Sequence, residues 1–433
     1  MIESSFEIPI HRNSPCRADR EANAMPSTKR NAFVSKLPIA FATGLCTVGM
    51  VGAASGASFQ GLGTITGAWD QFASTVNGVS GDGRVVVGQA NGIFDHGGEA
   101  VAVRSQAFRW EAGTMQGLGI GVFPEHVRST ARGASADGSV VVGSIELQVP
   151  GALQFHTDVL VYDNGTITTL PDVAGGPALA SGRDVSADGT LIVGAVNNAI
   201  GERAATWTGG ILTVVETLGS YITRSSASGN EWVGYHFSPA VKWTAGTAAN
   251  LPLPPGALAG RVVTGISADG TTSVGYATFS AGNEAVRWVG GIGESLGDLP
   301  GGAVNARALD ASADGSVIVG YGEDASGLSA FIWDATHGMR PLQDVLENDL
   351  GLDLTGWTLR RATGISDDGL TIVGSGPSPF DGGATRGFIA QFDPEPLPLF
   401  GGPALVVLCS ALACGGGWVA RRKVGRPPVT GLP

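Results

Sequence analysis

One phrase returns seven times along the 433-residue chain: a Ser-x-x-Gly turn, three further residues, and then Val-Gly. The turn glycines lie at positions 83, 138, 189, 229, 270, 315 and 369. The step between copies varies, so the variation must lie in the connecting loops. A motif that is regular while its copies differ in length predicts tandem structural units that pack side by side.

An aspartate precedes the turn glycine in six of the seven copies. These turn pairs are Asp82-Gly83, Asp137-Gly138, Asp188-Gly189, Asp269-Gly270, Asp314-Gly315 and Asp368-Gly369. The fourth copy has Ser228 in place of the aspartate. Asp and Gly tolerate the positive φ angles of a tight hairpin turn. Because most copies offer a single carboxylate, a structural role is favoured over calcium binding, and no metal site is expected.

Each unit is interpreted as a meander of four short strands. In the fifth unit we expect strands at Val262–Ser267, Thr271–Ala277 and Glu284–Val289, with a fourth around Ser295-Leu296. Short Val- and Thr-rich runs separated by Gly are typical of strands. Four such strands in each unit predict the blade of a β-propeller.

The two ends of the repeat region complement each other. The last unit ends at its third strand, Gly387–Phe392, whereas Phe59–Gly63 matches the fourth-strand phrase at Gln116–Gly119. An N-terminal strand that completes the last blade would close a ring and remove its free edges. The predicted fold class is therefore all-β: a seven-bladed β-propeller of four-stranded blades, closed by an N-terminal strand, over residues 58–393.

The third strand of the unit carries a resemblance to a known family. It reads Gln106-Ala107-Phe108-Arg109-Trp110 in the first unit and Ser329-Ala330-Phe331-Ile332-Trp333 in the sixth. Together with the Gly-Leu-Gly and Ser-Ala-Asp-Gly phrases, this resembles the extracellular repeats named after His-Ala-Phe (HAF repeats). The naming histidine is absent from every copy. The resemblance implies a fold and an extracellular location, and it implies no particular activity.

Composition excludes several classes of function. Residues 58–393 contain 33 Asp or Glu against 16 Lys or Arg, and such an acidic surface argues against a nucleic-acid partner. All four cysteines (Cys16, Cys46, Cys409 and Cys414) lie outside the repeats, which excludes a disulfide framework or thiolate site there. Phosphate-loop and nucleophile-elbow motifs are absent from the sequence. We therefore expect a protein that is not an enzyme and needs no cofactor.

Recurrent aromatic residues end the third strands. They are Trp110, Tyr162, Trp207, Trp243, Trp288 and Trp333, and we expect them to pack between blades. Trp69, Trp232 and Trp357 break the pattern and are candidates for a binding face. The histidines (His11, His96, His126, His156, His236 and His337) have no metal-ligand spacing, so we expect them to be scattered over the surface.

Three longer insertions are further candidates for ligand binding, because loops carry function on a rigid scaffold. Gln89–Arg104 and Glu146–Asp158 fall between second and third strands, and Gln343–Trp357 precedes the last unit. If the first two project from one face, they form a lopsided rim beside the central channel.

The N-terminal segment resembles a secretory signal peptide. Lys29-Arg30 and Lys36 precede an apolar run, Leu37–Ala54, which small residues follow. This order predicts export and cleavage between Ala57 and Ser58, so residues 1–57 are assigned to the signal segment. A permanent N-terminal membrane anchor is the alternative. The first 24 residues carry no apolar run, which suggests translation from Met25.

The C-terminal segment, residues 394–433, has three parts. Pro394-Glu395-Pro396 is followed by a mostly apolar stretch, Leu397–Ala420, and by Arg421-Arg422-Lys423. The stretch is long enough for a transmembrane helix, with the basic cluster on the cytoplasmic side. The whole resembles the PEP-CTERM sorting signal of Gram-negative bacteria. That resemblance implies an exosortase-type membrane transpeptidase as partner, cleavage near the Pro-Glu-Pro motif, and delivery to the cell surface or matrix.

Taken together, the sequence predicts an exported surface or matrix protein, a binding or scaffold propeller whose partner is an exopolysaccharide or another surface glycan. One alternative is a carbohydrate-active lyase or hydrolase at the channel mouth. Carboxylates clustered there with Tyr, His or Arg would favour that enzyme, whereas a mouth lined by Gly, Ala and Val would favour a scaffold. A second alternative is a periplasmic propeller that stays anchored in the membrane.

Overall fold

The computed structural model describes residues 56–65, 69–96, 99–119, 126–148, 155–170, 172–173, 179–198, 201–215, 220–236, 240–380 and 382–393. Within these ranges nearly all regular structure is β-strand, so the predicted all-β, propeller-like class is confirmed. In this part of the chain no helix has the length and apolar character needed to cross a bilayer. The predicted signal segment up to residue 55, the Pro394–Pro396 motif, the Leu397–Ala420 helix and the basic cluster lie outside the described residues.

The chain begins its β structure at β1 (Ser58–Gly61) and then forms repeated antiparallel meanders. The strands of the first three repeats are β2 (Trp69–Val79), β3 (Val85–His96), β4 (Glu99–Glu111), β5 (Thr114–Leu118), β6 (His126–Ala134), β7 (Val140–Gln148), β8 (Phe155–Asp163), β9 (Thr166–Leu170), β10 (Leu179–Val185), β11 (Leu191–Asn198), β12 (Gly201–Thr208) and β13 (Ile211–Val214). Single parallel bridges, Ser105 to Arg128 and Leu179 to Thr157, join these meanders into one 12-stranded sheet.

The later repeats form separate four-stranded sheets. Their strands are β14 (Ser220–Ser225), β15 (Glu231–His236), β16 (Ala240–Thr244), β17 (Thr247–Asn250), β18 (Ala259–Ile266), β19 (Thr272–Thr278), β20 (Asn283–Val289), β21 (Ile292–Gly297), β22 (Arg307–Ala311), β23 (Val317–Asp324), β24 (Gly327–Asp334), β25 (Gly338–Pro341), β26 (Arg361–Ile365), β27 (Thr371–Pro377) and β28 (Thr385–Gln391). A short helix α1 (Leu342–Asp344) and a π-helical turn (Val345–Asp349) lie between β25 and β26.

The first and last strands belong to the same sheet, in the order β1-β28-β27-β26. Phe59 lies opposite Ala390, and Gly61 lies opposite Phe388, in an antiparallel register. The Phe59 ring packs edge-on against Trp357, with centroids 5.3 Å apart. Aromatic burial of this kind stabilises the pairing of the two chain ends. β1 begins at Ser58, the residue after the predicted cleavage point, and cleavage itself stays a prediction.

The seven turns are linked by backbone hydrogen bonds that pass from each repeat to the next and return from the seventh to the first. The N–H to carbonyl bonds are Asp82 to Ala136, Ala136 to Ala187, Ala187 to Ala227, Ala227 to Ala268, Asp269 to Ala313, Ala313 to Asp367, and Asp367 to Gly81, all 2.8–3.0 Å long. We call this set the turn circuit. The turn circuit brings the seven turns together at one end of the first strand of each repeat. We call these first strands (β2, β6, β10, β14, β18, β22 and β26) the innermost strands.

Within each turn the glycine alone has a positive φ, between 67° and 76°. The aspartate, which we expected to share that conformation, serves instead as an acceptor. In the second repeat, for example, Asp137 Oδ1 accepts from the Ser135 hydroxyl at 2.9 Å and from the Ser139 N–H at 2.9 Å. The same oxygen accepts from the Ser139 hydroxyl at 2.7 Å. These three bonds, with that of the Ser139 hydroxyl first, lower the pKa of Asp137 to about 2. The aspartates therefore stabilise the turn by accepting hydrogen bonds, and the glycines adopt its positive φ.

The aromatic residues at the third-strand ends are buried, as the sequence predicts: Trp110, Tyr162, Trp207, Trp243, Trp288 and Trp333. Trp232 and Trp357, two of the three aromatic residues proposed for a binding face, are also buried, so the prediction is wrong for these two. Trp232 donates from Nε1 to the Gly229 carbonyl at 2.7 Å, and Trp357 packs against Phe59 and Phe388. The described side chains do not include that of Trp69.

The predicted loop insertions are mostly regular structure. Within Gln89–Arg104, β3 and β4 pair out to His96 opposite Glu99, forming a long hairpin. Within Glu146–Asp158, β7 and β8 pair out to Gln148 opposite Phe155. Leu346 and Trp357 of the third insertion enter the hydrophobic core, because apolar side chains there gain more from burial than from exposure on a rim.

Candidate ligand-binding site in the central cavity

Every innermost strand (β2, β6, β10, β14, β18, β22 and β26) carries a β-bulge at the same place, three residues before the turn serine. The extra residues, which we call the bulge ring, are Asn77, Arg132, Arg183, Thr223, Thr264, Leu309 and Thr363. A bulge sets two residues of one strand against one of its partner and re-aims the side chains, often beside functional sites.

The bulge also explains the Val-Gly of the motif. A Cβ at Gly143 would lie 1.9 Å from the Thr130 carbonyl oxygen, and each of the other Val-Gly glycines faces an innermost-strand carbonyl at no more than 2.1 Å. No side chain fits at that distance. The glycine therefore lets the inner strand bend toward the axis and present its bulged residue there.

The bulge ring and Arg224 together line a cavity of about 250 Å³. Each of the seven repeats contributes its bulged residue, so this central cavity lies where the repeats converge. A smaller cavity of about 90 Å³ lies on the turn side and is lined mainly by Gly, Ala, Val and Ile. Its charged lining residues are Arg132, Asp184, Arg224, Asp310 and Asp367. The lining thus combines the apolar surface expected of a scaffold with the charged groups expected of a binding or catalytic site.

Three arginines from the second, third and fourth repeats share the central cavity, and we call Arg132, Arg183 and Arg224 the arginine triad. Arg224 donates from Nη2 to the Asn77 carbonyl at 3.1 Å, and Arg183 donates from Nε to the Ser181 hydroxyl at 3.2 Å. Burial, followed by the charges of Arg183 and Arg224, lowers the pKa of Arg132 to about 10. At neutral pH all of that side chain's charge is nevertheless retained.

Two aspartates follow the bulge in their strands and face the same axis. Asp184 Oδ2 accepts from the Ser225 N–H of the next repeat at 2.9 Å, and Asp310 Oδ2 accepts from Ile365 N–H at 3.1 Å. Burial raises the pKa of Asp184, and it raises that of Asp310 to about 6 against the opposing effect of Arg224. Both carboxyl groups therefore tie neighbouring repeats together while holding their protons more tightly than an exposed aspartate would.

Arginine and tyrosine side chains continue from the triad along the following repeats. Tyr221, Arg307 and Arg361 stand two residues before the bulged residue of their strands and so lie on the same strand face. The guanidinium carbons of Arg183, Arg307 and Arg361 lie 5.3, 4.4 and 4.5 Å from the ring centres of Tyr221, Tyr276 and Tyr321. Tyr235 stacks 4.9 Å from Tyr221. We call these seven residues the Arg-Tyr row.

Tyr221 and Tyr235 are held in the neutral, hydrogen-bond-donating form. Burial, and then the nearby tyrosines, raises the pKa of Tyr235, and burial also raises that of Tyr221. A row of phenol and guanidinium groups offers hydrogen-bond donors and flat faces to a ligand. It suits oxygen-rich anions and sugar rings better than cations.

Sequence reasoning placed none of its candidate binding residues in this site. The predicted turn aspartates lie in the turns, and the described histidine side chains pair locally, as His337 does with Asp334 at 2.9 Å. In the part of the chain that the structure describes, no group of three or more His, Cys, Asp or Glu side chains could hold a metal ion. The missed signal was the position three residues before each turn serine, where a regular repeat varies between Asn, Arg, Thr and Leu.

No protein-family model and no curated protein matches the chain. Among solved structures, the chain is similar to TolB from Acinetobacter baumannii, with 13% identity and a TM-score of 0.38, over 59% of this chain and 62% of that one. It is also similar to the β-propeller domain of the Trilobed protease from Pyrococcus furiosus, with 8% identity and a TM-score of 0.48, over 78% and 100% of the two chains. No activity is carried over from either protein.

Proposed function

We propose that this chain is an exported, non-catalytic binding protein, a closed ring of seven four-stranded blades whose axial Arg-Tyr row holds an acidic surface or matrix polysaccharide. Seven meanders, the β1–β28 pairing and the turn circuit support the closed ring. Export through the N-terminal segment and sorting by an exosortase-type enzyme at Pro394–Pro396 complete the proposal and rest on the sequence resemblance.

The observation that carries the proposal is the contrast between the axis and the rest of the molecule. Residues 58–393 have 33 acidic and 16 basic residues, yet five of those arginines belong to the triad or the row. A concave site of one sign concentrates ligands of the opposite sign. An acidic protein with five of its arginines at one site is therefore suited to a polyanion there, and its acidic surface repels a polyanion elsewhere.

The chemistry of the row favours a uronate-containing polymer over other anions. Arginine binds carboxylates through a planar fork of donors. Tyrosine offers an apolar face with a polar edge, which suits the two sides of a sugar ring. The presence of both residue types in one row suits a polymer that carries both sugar rings and carboxylates along its length.

A lyase or hydrolase acting on such a polymer is the second candidate, and Asp310 favours it. A buried carboxyl group whose pKa is raised to about 6 beside an arginine is a common feature of general acids and bases. Its Oδ2, however, already accepts from the Ile365 N–H, which favours a structural role. Incubating the protein with polygalacturonate and measuring chain length and unsaturated ends distinguishes an enzyme from a binder.

The binding test uses two polymers that differ only in charge: polygalacturonate and its fully methyl-esterified form. We expect the full chain to bind the acid polymer saturably in calorimetry and to bind the ester at least about tenfold more weakly. The affinity for the acid polymer should fall as the salt concentration rises. Arg361→Gln, on the exposed end of the row, is expected to reduce the affinity several-fold.

Arg84→Gln is the matched control, because the Arg84 side chain is 78% exposed in the first turn, and binding should be unchanged. Equal binding of both polymers, or an Arg361→Gln variant that binds like the control, would contradict the proposed function. Shortened polymer chains would replace it with the enzymatic candidate.

A further inference from the structure

The arginine triad presents three like charges that nothing in the described protein neutralises by direct contact. None of the ion pairs within 4 Å among the described residues includes Arg132, Arg183 or Arg224. Like charges at short range repel one another, and the repulsion is stronger where water is displaced. Bringing three arginines to one cavity therefore costs stability unless a ligand supplies the missing negative charge.

The nearby carboxyl groups supply only part of that charge. Asp184, Asp310 and Asp367 line the smaller cavity on the turn side, which Arg132 and Arg224 also line. A backbone N–H of the following repeat donates to Asp184 and another to Asp310. Burial raises the pKa of both carboxyl groups, against the opposing charge of Arg224, and a pKa of about 6 leaves Asp310 mostly ionised at neutral pH. The lining of the central cavity itself holds the three guanidinium groups and no carboxylate, so a positive surplus remains there.

Unused hydrogen-bond capacity faces the same cavity. Arg132 Nε and Thr363 Oγ1 are buried without any hydrogen-bond partner, and both residues line the cavity. A buried polar group left without a partner is costly, so such groups mark places where a ligand or water belongs. The remaining lining groups, Asn77, Thr223 and Thr264, are polar and uncharged.

The size of the cavity limits what can enter it. A volume of about 250 Å³ far exceeds the space that one water molecule needs and lies just below that of common small-molecule sites. It can accept one acidic group with the sugar or other small body that carries it, and it cannot accept a folded polymer.

We propose that Arg132, Arg183 and Arg224 form an anion subsite at the centre of the ring, which takes a single carboxylate or phosphate group. This inference rests on the proposed function in one respect: the carboxylate is that of a uronate unit at the end or bend of the bound polymer. Inorganic phosphate shares the required chemistry, since both groups present oxygen acceptors to guanidinium forks.

The test is calorimetric titration of the full chain with D-galacturonate, with inorganic phosphate and with neutral galactose. We expect saturable binding of at least one of the two anions and none of galactose. Binding of galacturonate alone identifies a uronate subsite, and tighter binding of phosphate identifies a phosphate subsite. Absence of saturable binding of both anions would overturn the proposal.

Three variants locate the binding. Arg132→Gln, Arg183→Gln and Arg224→Gln should each weaken anion binding by at least about tenfold, while Arg84→Gln leaves it unchanged. Because each triad variant removes like-charge repulsion, the thermal midpoint of the ligand-free Arg132→Gln protein should stay equal or rise. Lost binding at an unlowered midpoint excludes unfolding as the cause, whereas full binding in all three variants, or a lowered midpoint, would overturn the subsite.

The two proposals fail separately. Polygalacturonate that binds equally well to Arg132→Gln and Arg224→Gln, whose residues lie outside the Arg-Tyr row, would leave the polymer-binding function standing and remove the subsite. Triad-dependent binding of phosphate without any binding of the polymer would support the subsite and contradict the polymer-binding function.

Discussion

At the scale of single residues, the glycine of Val-Gly shows how one missing side chain shapes the axis. Gly320 and Gly322 lie two residues apart in β23, which makes them a natural pair for comparison. A Cβ at Gly320 would lie 2.1 Å from the Arg307 carbonyl oxygen, whereas one at Gly322 would meet only side-chain atoms of Asp298 and Leu299, at 3.3–3.4 Å.

We therefore expect Gly320→Ala to lower the free energy of unfolding by about 3 kcal/mol or more, or to prevent folding. Gly322→Ala should cost less than about 1 kcal/mol, because flexible side chains can move aside. Urea denaturation followed by tryptophan fluorescence measures both. Equal losses would mean that the bulge does not require the glycine.

The sequence reveals this glycine but not its reason. Repetition of Val-Gly predicted a structural unit, yet a clash with a carbonyl of the neighbouring strand exists only once the strands are paired and bulged. The same limit explains Trp232 and Trp357. Their departure from the repeat pattern suggested exposure, but in the fold each fills a local gap in the core.

Asp310 provides a pH-dependent prediction. Its pKa is about 6 in the folded protein against 3.8 as the ordinary value, so the folded state holds the proton more tightly. Its contribution to stability is therefore complete below about pH 4 and is lost as the pH rises through about 6. Asp310→Asn removes this dependence.

The free energy of unfolding of Asp310→Asn, relative to the parent chain, should increase between about pH 4 and pH 7.5 by roughly 2 kcal/mol. Asp137→Asn is the control with the opposite sign, because the pKa of Asp137 is lowered to about 2 and its contribution is lost only in stronger acid. Chemical denaturation at the two pH values measures both variants. A relative stability of Asp310→Asn that does not change with pH would contradict the assignment.

At the scale of elements, the fourth turn shows how a degenerate repeat compensates for its lost aspartate. Ser228 Oγ accepts from the Asn230 N–H at 3.2 Å, in place of the usual carboxylate. Glu231 Oε2 accepts from the Ser226 hydroxyl at 3.0 Å, and it stands where other repeats have Val, Leu or Thr. The carboxylate has thus moved from the turn to the following strand.

This exchange predicts coupling between two substitutions. Ser228→Asp alone should destabilise the protein, because the new carboxylate would lie beside that of Glu231. Combined with Glu231→Thr, it restores the turn of the other repeats. The double variant should therefore lose about 1 kcal/mol less free energy of unfolding than the sum of the losses of the two single variants. A double-mutant cycle by thermal denaturation measures the coupling, and strict additivity would contradict it.

The elements themselves were largely predictable, since Gly-bounded Val and Thr runs mark strands directly. In the fifth repeat the observed strands Ala259–Ile266, Thr272–Thr278 and Asn283–Val289 fall within three residues of the predicted bounds. The insertions were not predictable as loops or hairpins. Strand extension in Gln89–Arg104 depends on pairing between two segments, which a single sequence does not display.

At the scale of the whole molecule, the sequence predicted the propeller-like fold and the complementarity of its two ends. It did not predict the site, because the ring residues come from positions separated by about one repeat length and meet only at the axis. The bulge ring uses the variable position of an otherwise regular motif. A fixed scaffold with one variable inward residue in each repeat lets the lining change without altering the fold.

A crystal structure of the full chain grown with trigalacturonate tests most directly whether the cavity at the axis binds the ligand. We expect sugar density along the Arg-Tyr row, with a carboxylate within hydrogen-bonding distance of Arg132, Arg183 and Arg224. Sugar density only on the outer faces, with the arginine triad unchanged and without ligand, would contradict it.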